Sequence, residues 1–192
     1  TAEIYDPATR SIAPGPDMLV PRSHHTAVRL PSGDVAFFGG IGPDGQPVAE
    51  VETFQFSPVA LGQEPNVLGP SLAVAQSSPQ AILLPDQTVL VTNGVDASGN
   101  AVRSAEIYDA FNPARDDTNA VIPGVKAPIL TALDSSMLED RKGGAAVPLI
   151  DGNVLFIGGG PAAASATLEV YNYQLQTFEA AVTDFTGGRS EE

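Results

Sequence analysis

The chain has 192 residues, of which 43% are apolar and only 17% are charged, with 19 glycines and 17 prolines. This composition favours many short strands joined by turns, because long helices need more Glu, Lys, Arg and Leu. The formal net charge of −14 and the absence of any basic cluster argue against nucleic acid or an anionic membrane surface as a partner. No apolar run approaches the roughly 20 residues of a membrane helix, so no membrane insertion is expected.

The chain opens on a predicted β-hairpin. Residues 1–5 alternate between apolar and polar side chains, as a half-buried strand does. The following segment, Asp6-Pro7-Ala8-Thr9, is typical of a turn, because an Asp side chain accepts hydrogen bonds from the backbone that follows it and Pro fixes φ. A second short strand is expected around residues 10–13. Because the first residue already falls within a strand, we expect the chain to be a piece of a longer one.

Residues 22–56 contain a unit that the rest of the chain repeats. Three strands are predicted, at Thr26–Leu30, Val35–Phe38 and Val48–Phe56, separated by a Pro-Ser-Gly-Asp turn and a Gly/Pro-rich loop. The turn returns as Pro-Asp-Gln-Thr and as Ile-Asp-Gly-Asn. The third strand occurs four times in the chain, each time with a glutamate that we interpret as structural: Glu3, Glu52, Glu106 and Glu169. Repeats of about 50 residues with four short strands are typical of β-propeller blades.

The repeated unit resembles a kelch repeat. The resemblance is carried by Arg22-x-x-His25, by L-P-S-G-D-V and F-F-G-G, and by A-E-I-Y-D at Ala2–Asp6 and Ala105–Asp109. The sequence departs from the kelch pattern in two ways. The fourth-strand tryptophan is replaced by Ile12, Leu61 and Phe178. In the second unit, Gln76 and Asn93 replace the arginine and the first glycine. The resemblance implies an all-β, kelch-type β-propeller of four-stranded antiparallel blades.

The repeats predict one partial propeller domain of about three and a half blades. A half blade is expected at residues 1–20, blades at approximately 21–70, 71–125 and 140–185, and a lead-in to the next blade at 186–192. Known rings need at least four blades, and a partial ring leaves sheet faces and strand edges exposed. We therefore expect the remaining blades to come from more of the same chain or from a second copy.

Strand order predicts which loops form a ligand-binding face. In an antiparallel blade, the loops after strands two and four lie on one face, and those after strands one and three lie on the other. We assign the long, variable segments to the first set, namely residues 39–47, 93–101, 158–166 and the stretch Phe111–Glu139. Binding residues concentrate on variable loops held by a rigid scaffold. The candidates on this face are Asp44, Gln46, Asp96, Asn100, Arg115, Asp116 and Asp117.

Metal and catalytic sites are poorly supported by the sequence. His24 and His25 are the only histidines, and neighbouring strand residues point to opposite faces, so we interpret both as structural. Asp96, Ser98 and Asn100 place oxygens at alternate positions as a calcium loop does, but the bidentate Glu is missing. A turn is the preferred interpretation there, with calcium as the alternative. No catalytic triad, phosphate-binding glycine motif or other cofactor site is predicted.

The expected function is therefore a non-catalytic binding module, extracellular or at the cell surface. Its long loops after the second and fourth strands would engage a protein or glycan partner. One alternative is the scaffold part of a secreted enzyme, either carbohydrate-active or similar to the copper-radical oxidases, whose active site lies outside this segment. Another is a structural component that completes its ring with another chain. Likeness of fold does not choose among these functions.

Overall fold

The computed structural model describes residues 2–55, 65–160 and 167–181. These ranges contain strands and turns and no helix, which confirms the all-β prediction. The strands are β1 (Glu3–Asp6), β2 (Ser11–Pro14), β3 (Thr26–Arg29), β4 (Val35–Phe38), β5 (Glu50–Phe54), β6 (Asn66–Ser71), β7 (Gln80–Leu83), β8 (Val89–Thr92), β9 (Glu106–Asp109), β10 (Pro113–Arg115), β11 (Val121–Lys126), β12 (Ile129–Ala132), β13 (Ala145–Pro148), β14 (Val154–Ile157), β15 (Leu168–Asn172) and β16 (Thr177–Ala180).

Twelve of these strands form three four-stranded antiparallel sheets. The first sheet has the order β3-β4-β5-β6, the second β7-β8-β9-β12 and the third β13-β14-β15-β16. Two further pairs stand apart: the N-terminal hairpin β1-β2 and the inserted hairpin β10-β11. The predicted repeat of four short strands is thus present three times.

The register of the first three strands is the same in all three sheets. Val35, Val89 and Val154 begin the second strands and pair with the aromatic residue of the third strand, Phe54, Tyr108 and Tyr171 respectively. Each first strand is joined to its second by a turn closed in the same way: the N–H groups of Leu30, Leu84 and Leu149 donate to the carbonyls of Asp34, Thr88 and Asn153. This shared register makes residues of one sheet comparable with those of the next.

Apolar side chains fill the space between consecutive sheets. Val28, Ala36, Phe38 and Val51 of the first sheet face Val89, Val91 and Tyr108 of the second, and all are at most 9% exposed. A second cluster joins the second and third sheets through Ile82, Leu90, Ala105, Val154, Phe156 and Tyr171. The first strands also lie side by side, since β7 contacts β3 on one side and β13 on the other. Alternate positions of β8 therefore pack against different neighbours, as expected of a strand buried on both faces.

The fourth strands differ from the sequence prediction in the first two sheets. In the N-terminal hairpin and the third sheet, Ile12 and Phe178 pair with Tyr5 and Tyr171 as their spacing suggests. In the first sheet, Phe54 pairs with Asn66, and the predicted Leu61 lies outside the described residues. In the second sheet, β12 provides the fourth strand, so this unit extends beyond the boundary at residue 125.

Candidate interaction surface

Two loops of equivalent structure extend from the ends of second strands β4 and β8. In the first sheet, Ile41 bridges to Pro47, and the Gly42 N–H donates to the Gln46 carbonyl. In the second sheet, Val95 bridges to Ala101, and the Asp96 N–H donates to the Asn100 carbonyl in the same way. Both loops are therefore small hairpins with a hydrogen-bonded base, rather than irregular segments. Antiparallel strand order places them on the same face of their sheets.

Four of the predicted ligand-contacting residues lie at the tips of these two loops. Asp44 and Gln46 are exposed, and the Gln46 N–H donates to the Asp44 carboxylate at 3.0 Å. Asn100 is exposed, while Asp96 is half-buried at the base of its turn. Because each loop follows a second strand, these four residues lie at the same end of their respective sheets.

The Asp96 carboxylate serves its own turn. Its Oδ1 accepts hydrogen bonds from the backbone N–H groups of Ser98 and Asn100, both at 2.8 Å, and its Oδ2 accepts from the Asn100 side chain at 3.3 Å. These bonds keep the pKa of Asp96 below its usual value, because they stabilise the ionised form. The arrangement supports the turn interpretation over the calcium alternative, since the oxygen atoms already accept from turn donors.

The remaining three candidates, Arg115, Asp116 and Asp117, lie on the opposite face. They belong to the inserted hairpin, which leaves the second sheet after its third strand, β9, and returns into β12. The prediction that the stretch Phe111–Glu139 belongs with the loops after strands two and four is therefore wrong for its hairpin. The physical reason is that β12 pairs with β9, so the hairpin interrupts a third-to-fourth connection.

Sequence reasoning singled out the stretch Phe111–Glu139 but missed that it contains a separate, exposed hairpin. Every residue of β11 is exposed, including Val121 (49%), Ile122 (37%) and Val125 (49%). Its base is closed by a bond from the Ala127 N–H to the Asn112 carbonyl, and the Lys126 ammonium lies 4.2 Å from the centre of the Phe111 ring. The signal in the sequence was the polar turn Asp116–Asn119 between two strand-like segments, which indicates a hairpin of its own.

A groove runs beside the start of the first sheet on the face that carries the Asp44 loop. Its lining includes Asp17, Pro21, His25 and Pro43, from two adjoining depressions.

The His25 ring packs edge-on against Phe37, with centroids 5.5 Å apart. Burial, followed by the nearby Arg22 charge, lowers the pKa of His25, so this side chain is neutral near pH 7. His24 is exposed, so the two histidines do not share a site.

Two of the repeated glutamates, Glu52 and Glu169, accept hydrogen bonds from the segment that precedes the first strand of their sheet. We call each such segment a connector. Glu52 accepts from the N–H groups of Leu19 (2.8 Å) and Val20 (3.1 Å), and Glu169 accepts from Leu138 (2.7 Å) and Glu139 (3.2 Å). Each is also paired with the arginine that follows its connector. Arg22 Nη2 lies 3.6 Å from Glu52, and Arg141 Nε donates to Glu169 at 2.7 Å; all four side chains are at most 2% exposed. These glutamates therefore have a structural role, in agreement with the sequence interpretation.

The second sheet lacks this pairing. Gln76 takes the place of the arginine and is 2% exposed, and Glu106 is 6% exposed. A single described backbone amide, that of Ala73, donates to the Glu106 carboxylate, at 3.1 and 3.3 Å to its two oxygens. Burial raises the pKa of Glu106, and the Ala73 bond opposes this only in part.

The outward face of the third sheet is apolar and open. Val147 is 41% exposed and Ile157 is 40% exposed, and their neighbours on the same face are Leu155, Leu168 and Val170. The positions that match Val147 in the first and second sheets, Val28 and Ile82, are 9% and 8% exposed because a neighbouring sheet covers them. Nothing in residues 2–55, 65–160 and 167–181 covers the third sheet in this way.

Two kinds of feature are absent from the described residues. No group of three or more His, Asp or Glu side chains is arranged there to hold a metal ion. The same residues include no helix long and apolar enough to cross a membrane.

Two comparisons with known proteins give no match. No model of a known protein family matches the chain. A search of the curated proteins finds no significant match either.

Proposed function

We propose that the chain is a segment of a kelch-type β-propeller that acts as a non-catalytic binding module. One observation carries the proposal: three antiparallel four-stranded sheets follow one another, with the same register in their first three strands, their first strands adjacent and apolar clusters between them. Stacking small twisted sheets about an axis is how a propeller buries its sheets. In this arrangement, β3, β7 and β13 are the innermost strands.

The N-terminal hairpin fits the same plan as the outer half of a further blade. Its Tyr5–Ile12 pair has the same register as the Tyr171–Phe178 pair of the third sheet. It lies over a cavity of roughly 150 Å³ lined by Ile4, Val35 and Phe37, among others. With this half blade, the segment has about three and a half blades, and known rings have at least four.

The ligand-binding face of the proposed module carries the loops after β4 and β8. Their bases are fixed by bonds from the Val48 and Val102 N–H groups to the carbonyls of Gly40 and Gly94, while their tips are exposed. Rigid bases with exposed, variable tips suit recognition. The partner is a protein or a glycan, met outside the cell or at its surface. A net charge of −14 disfavours strongly anionic partners.

The binding proposal is tested with an array of neutral oligosaccharides and with purified candidate proteins. The double variants D44A/Q46A and D96A/N100A should each weaken binding at least tenfold. The first removes two exposed polar side chains from the proposed face, and the second removes the exposed Asn100 side chain together with the carboxylate that fixes its loop. The matched control is S32A/D34A in the turn after β3, on the opposite face. Equal losses for the control and the loop variants, or binding lost only on removal of the inserted hairpin, would refute the proposed face.

A second role, completion of a ring with another chain or with further blades, has its own supporting observation. The open apolar face of the third sheet matches positions that adjacent sheets cover elsewhere. Exposed apolar sheet faces of this kind mark interaction surfaces. Sedimentation equilibrium tests the role: a chain that stays monomeric at all concentrations and binds no added blade would contradict it.

A further inference from the structure

An arginine guanidinium occupies the same place in two of the three sheets. In the first sheet, Arg22 Nη1 donates to the carbonyls of Gly39 (3.1 Å) and Glu50 (2.7 Å). In the third sheet, Arg141 Nη1 donates to the carbonyls of Gly158 (2.6 Å) and Thr167 (3.1 Å). The guanidinium therefore satisfies two backbone carbonyls and one glutamate at each place, and it supplies a positive charge beside a buried carboxylate.

The second sheet keeps the oxygens of this place but not the cation. The strand register makes Asn93 and Ser104 the counterparts of Gly39 and Glu50, whose carbonyls face the guanidinium in the first sheet. The Ser104 carbonyl already accepts a hydrogen bond from the Thr92 hydroxyl at 3.0 Å, so its second lone pair is the one left for a cation. Glu106 supplies the carboxylate, as Glu52 does in the first sheet. Gln76, with its shorter side chain, supplies an amide where the arginine would reach.

The Gln76 amide oxygen is itself an unused ligand. Gln76 is 2% exposed, and its Oε1 finds no hydrogen-bond donor among the described residues. The side chain is held against Gly94, where an added Cβ would collide with it. Its oxygen is thus buried and held against Gly94, in the same sheet as the Glu106 carboxylate, which receives only one described amide.

Such a set of oxygens calls for a positive partner. A buried carboxylate without a paired charge is costly, as is a buried amide oxygen without a donor. Carboxylate, amide and carbonyl oxygens are hard ligands that suit hard cations. The site has one carboxylate, so a monovalent ion balances its charge, whereas a divalent ion would leave a buried excess.

We propose that the second sheet binds a sodium or potassium ion between Glu106, the Gln76 amide oxygen and the carbonyls of Asn93 and Ser104. The ion takes the place that the guanidinium of Arg22 or Arg141 holds in the neighbouring sheets. It thereby ties the connector at Ala73 to the second sheet, as the arginines do for their own connectors.

The test measures the thermal unfolding midpoint of the whole chain in sodium, potassium or tetramethylammonium chloride at equal ionic strength. Tetramethylammonium controls for screening, because it is too large for the site and cannot shed a hydration shell to bind oxygens. The midpoint should be about 2 °C or more higher in sodium or potassium, since an ion that binds only the folded state stabilises it. In parallel, the ²³Na resonance should broaden on addition of the protein.

Two variants locate the effect. Q76R/N93G gives the second sheet the residues that its neighbours carry, and it should lose both the cation dependence and the ²³Na broadening. Q76M keeps the size of the side chain without its oxygen, so it should also lose the cation dependence and the ²³Na broadening. It provides the test if the double variant folds poorly. The matched control is Q46M, on an exposed loop, which should behave as the wild type.

Three results would overturn the proposal. Equal midpoints for the wild type in all three salts would mean that Glu106 is met by a proton, water or the Gln76 amide group. Unchanged cation dependence in both Gln76 variants would place the ion elsewhere. Stabilisation by calcium without any effect of sodium or potassium would reject a monovalent ion.

Discussion

At the scale of single residues, the glutamate on each third strand shows how its neighbours decide the cost of burial. Glu169 is met by two amides and by a guanidinium at 2.7 Å, whereas Glu106 is met by one described amide. Glu3, in the N-terminal hairpin, is exposed. The same residue at the same register position is thus ion-paired, unpaired or solvated, according to what packs against its sheet.

Arg141→Met tests the buried ion pair of the third sheet. Removing one partner leaves the Glu169 carboxylate buried and uncompensated, so the free energy of unfolding should fall by about 3–5 kcal/mol. Urea unfolding measures this change. The control is Arg115→Met in the exposed inserted hairpin, which should change stability by no more than about 0.5 kcal/mol. Similar small effects of both substitutions would show that Glu169 does not depend on Arg141.

His25 should make stability depend on pH. Burial and the Arg22 charge lower its pKa in the folded state from the ordinary value of 6.5. The unfolded state therefore binds the proton more readily, so this contribution to stability is complete above pH 6.5 and is lost as pH falls towards the folded pKa.

The pH prediction is checked by comparing unfolding midpoints between pH 7.5 and pH 5.5 for His25→Gln and the wild type. His25→Gln should flatten the profile in this window, above the range in which most carboxylates titrate. His24→Asn is the matched control, because His24 is exposed with φ of 55°, a conformation that Asn tolerates. An equally steep profile for His25→Gln would exclude His25 as its source.

At the scale of elements, the inserted hairpin shows that a large addition can leave a sheet intact. β9 still pairs with β12, and Leu130 stands opposite Tyr108 as Phe178 stands opposite Tyr171. The hairpin begins and ends at a hydrogen-bonded Asn112–Ala127 pair, so it adds a closed arm at one point. Lengthening a loop whose two ends stay together costs little conformational entropy, which explains why the second sheet tolerates the inserted hairpin.

Replacing Pro113–Lys126 with Asn-Gly should therefore leave the core of the second sheet intact. Asn-Gly forms the tight turn that suits a two-residue hairpin loop. The expected loss is about 1 kcal/mol or less, mainly from the contact of Lys126 with Phe111. Urea unfolding and amide hydrogen exchange of β9 and β12 measure the outcome. A loss of exchange protection across β9 would mean that the hairpin belongs to the core.

At the scale of the whole molecule, the sheets depend on one another. Phe38, Val51, Val89 and Tyr108 are buried only because the first and second sheets lie face to face. The third sheet has such a neighbour on one side, and its other face remains open within the described part of the chain. Each sheet is thus stable through its neighbours, as in repeat proteins.

Equivalent lysine substitutions should separate covered from open faces. Ile82→Lys places an unpaired charge between the second and third sheets, so it should cost more than about 3 kcal/mol. Val147→Lys, at the matching position of the third sheet, should cost about 0.5 kcal/mol or less in dilute solution and should reduce self-association. Urea unfolding and sedimentation measure both effects. Equal costs for the two variants would show that the third sheet is covered in solution.

The sequence by itself determined the all-β class, the N-terminal hairpin and the turns. Alternating side chains, Asp-Pro and Gly-Asp turns and the recurring Glu-aromatic strand are local signals, so they are visible without a structure. The same spacing assigned Asp44, Gln46, Asp96 and Asn100 to loops that follow second strands, because the order of the strands along the chain determines which strands a loop joins.

The tertiary structure alone decided which strand closes the second sheet, and therefore on which face Arg115, Asp116 and Asp117 lie. It also decided that, among the described residues, Glu52 is ion-paired while Glu106 has no such partner, and that the third sheet has one face uncovered. These properties depend on contacts between residues far apart in the chain. Pairing of β9 with β12 skips a whole hairpin, and burial of a glutamate depends on a connector from the preceding sheet, so no local pattern reveals either.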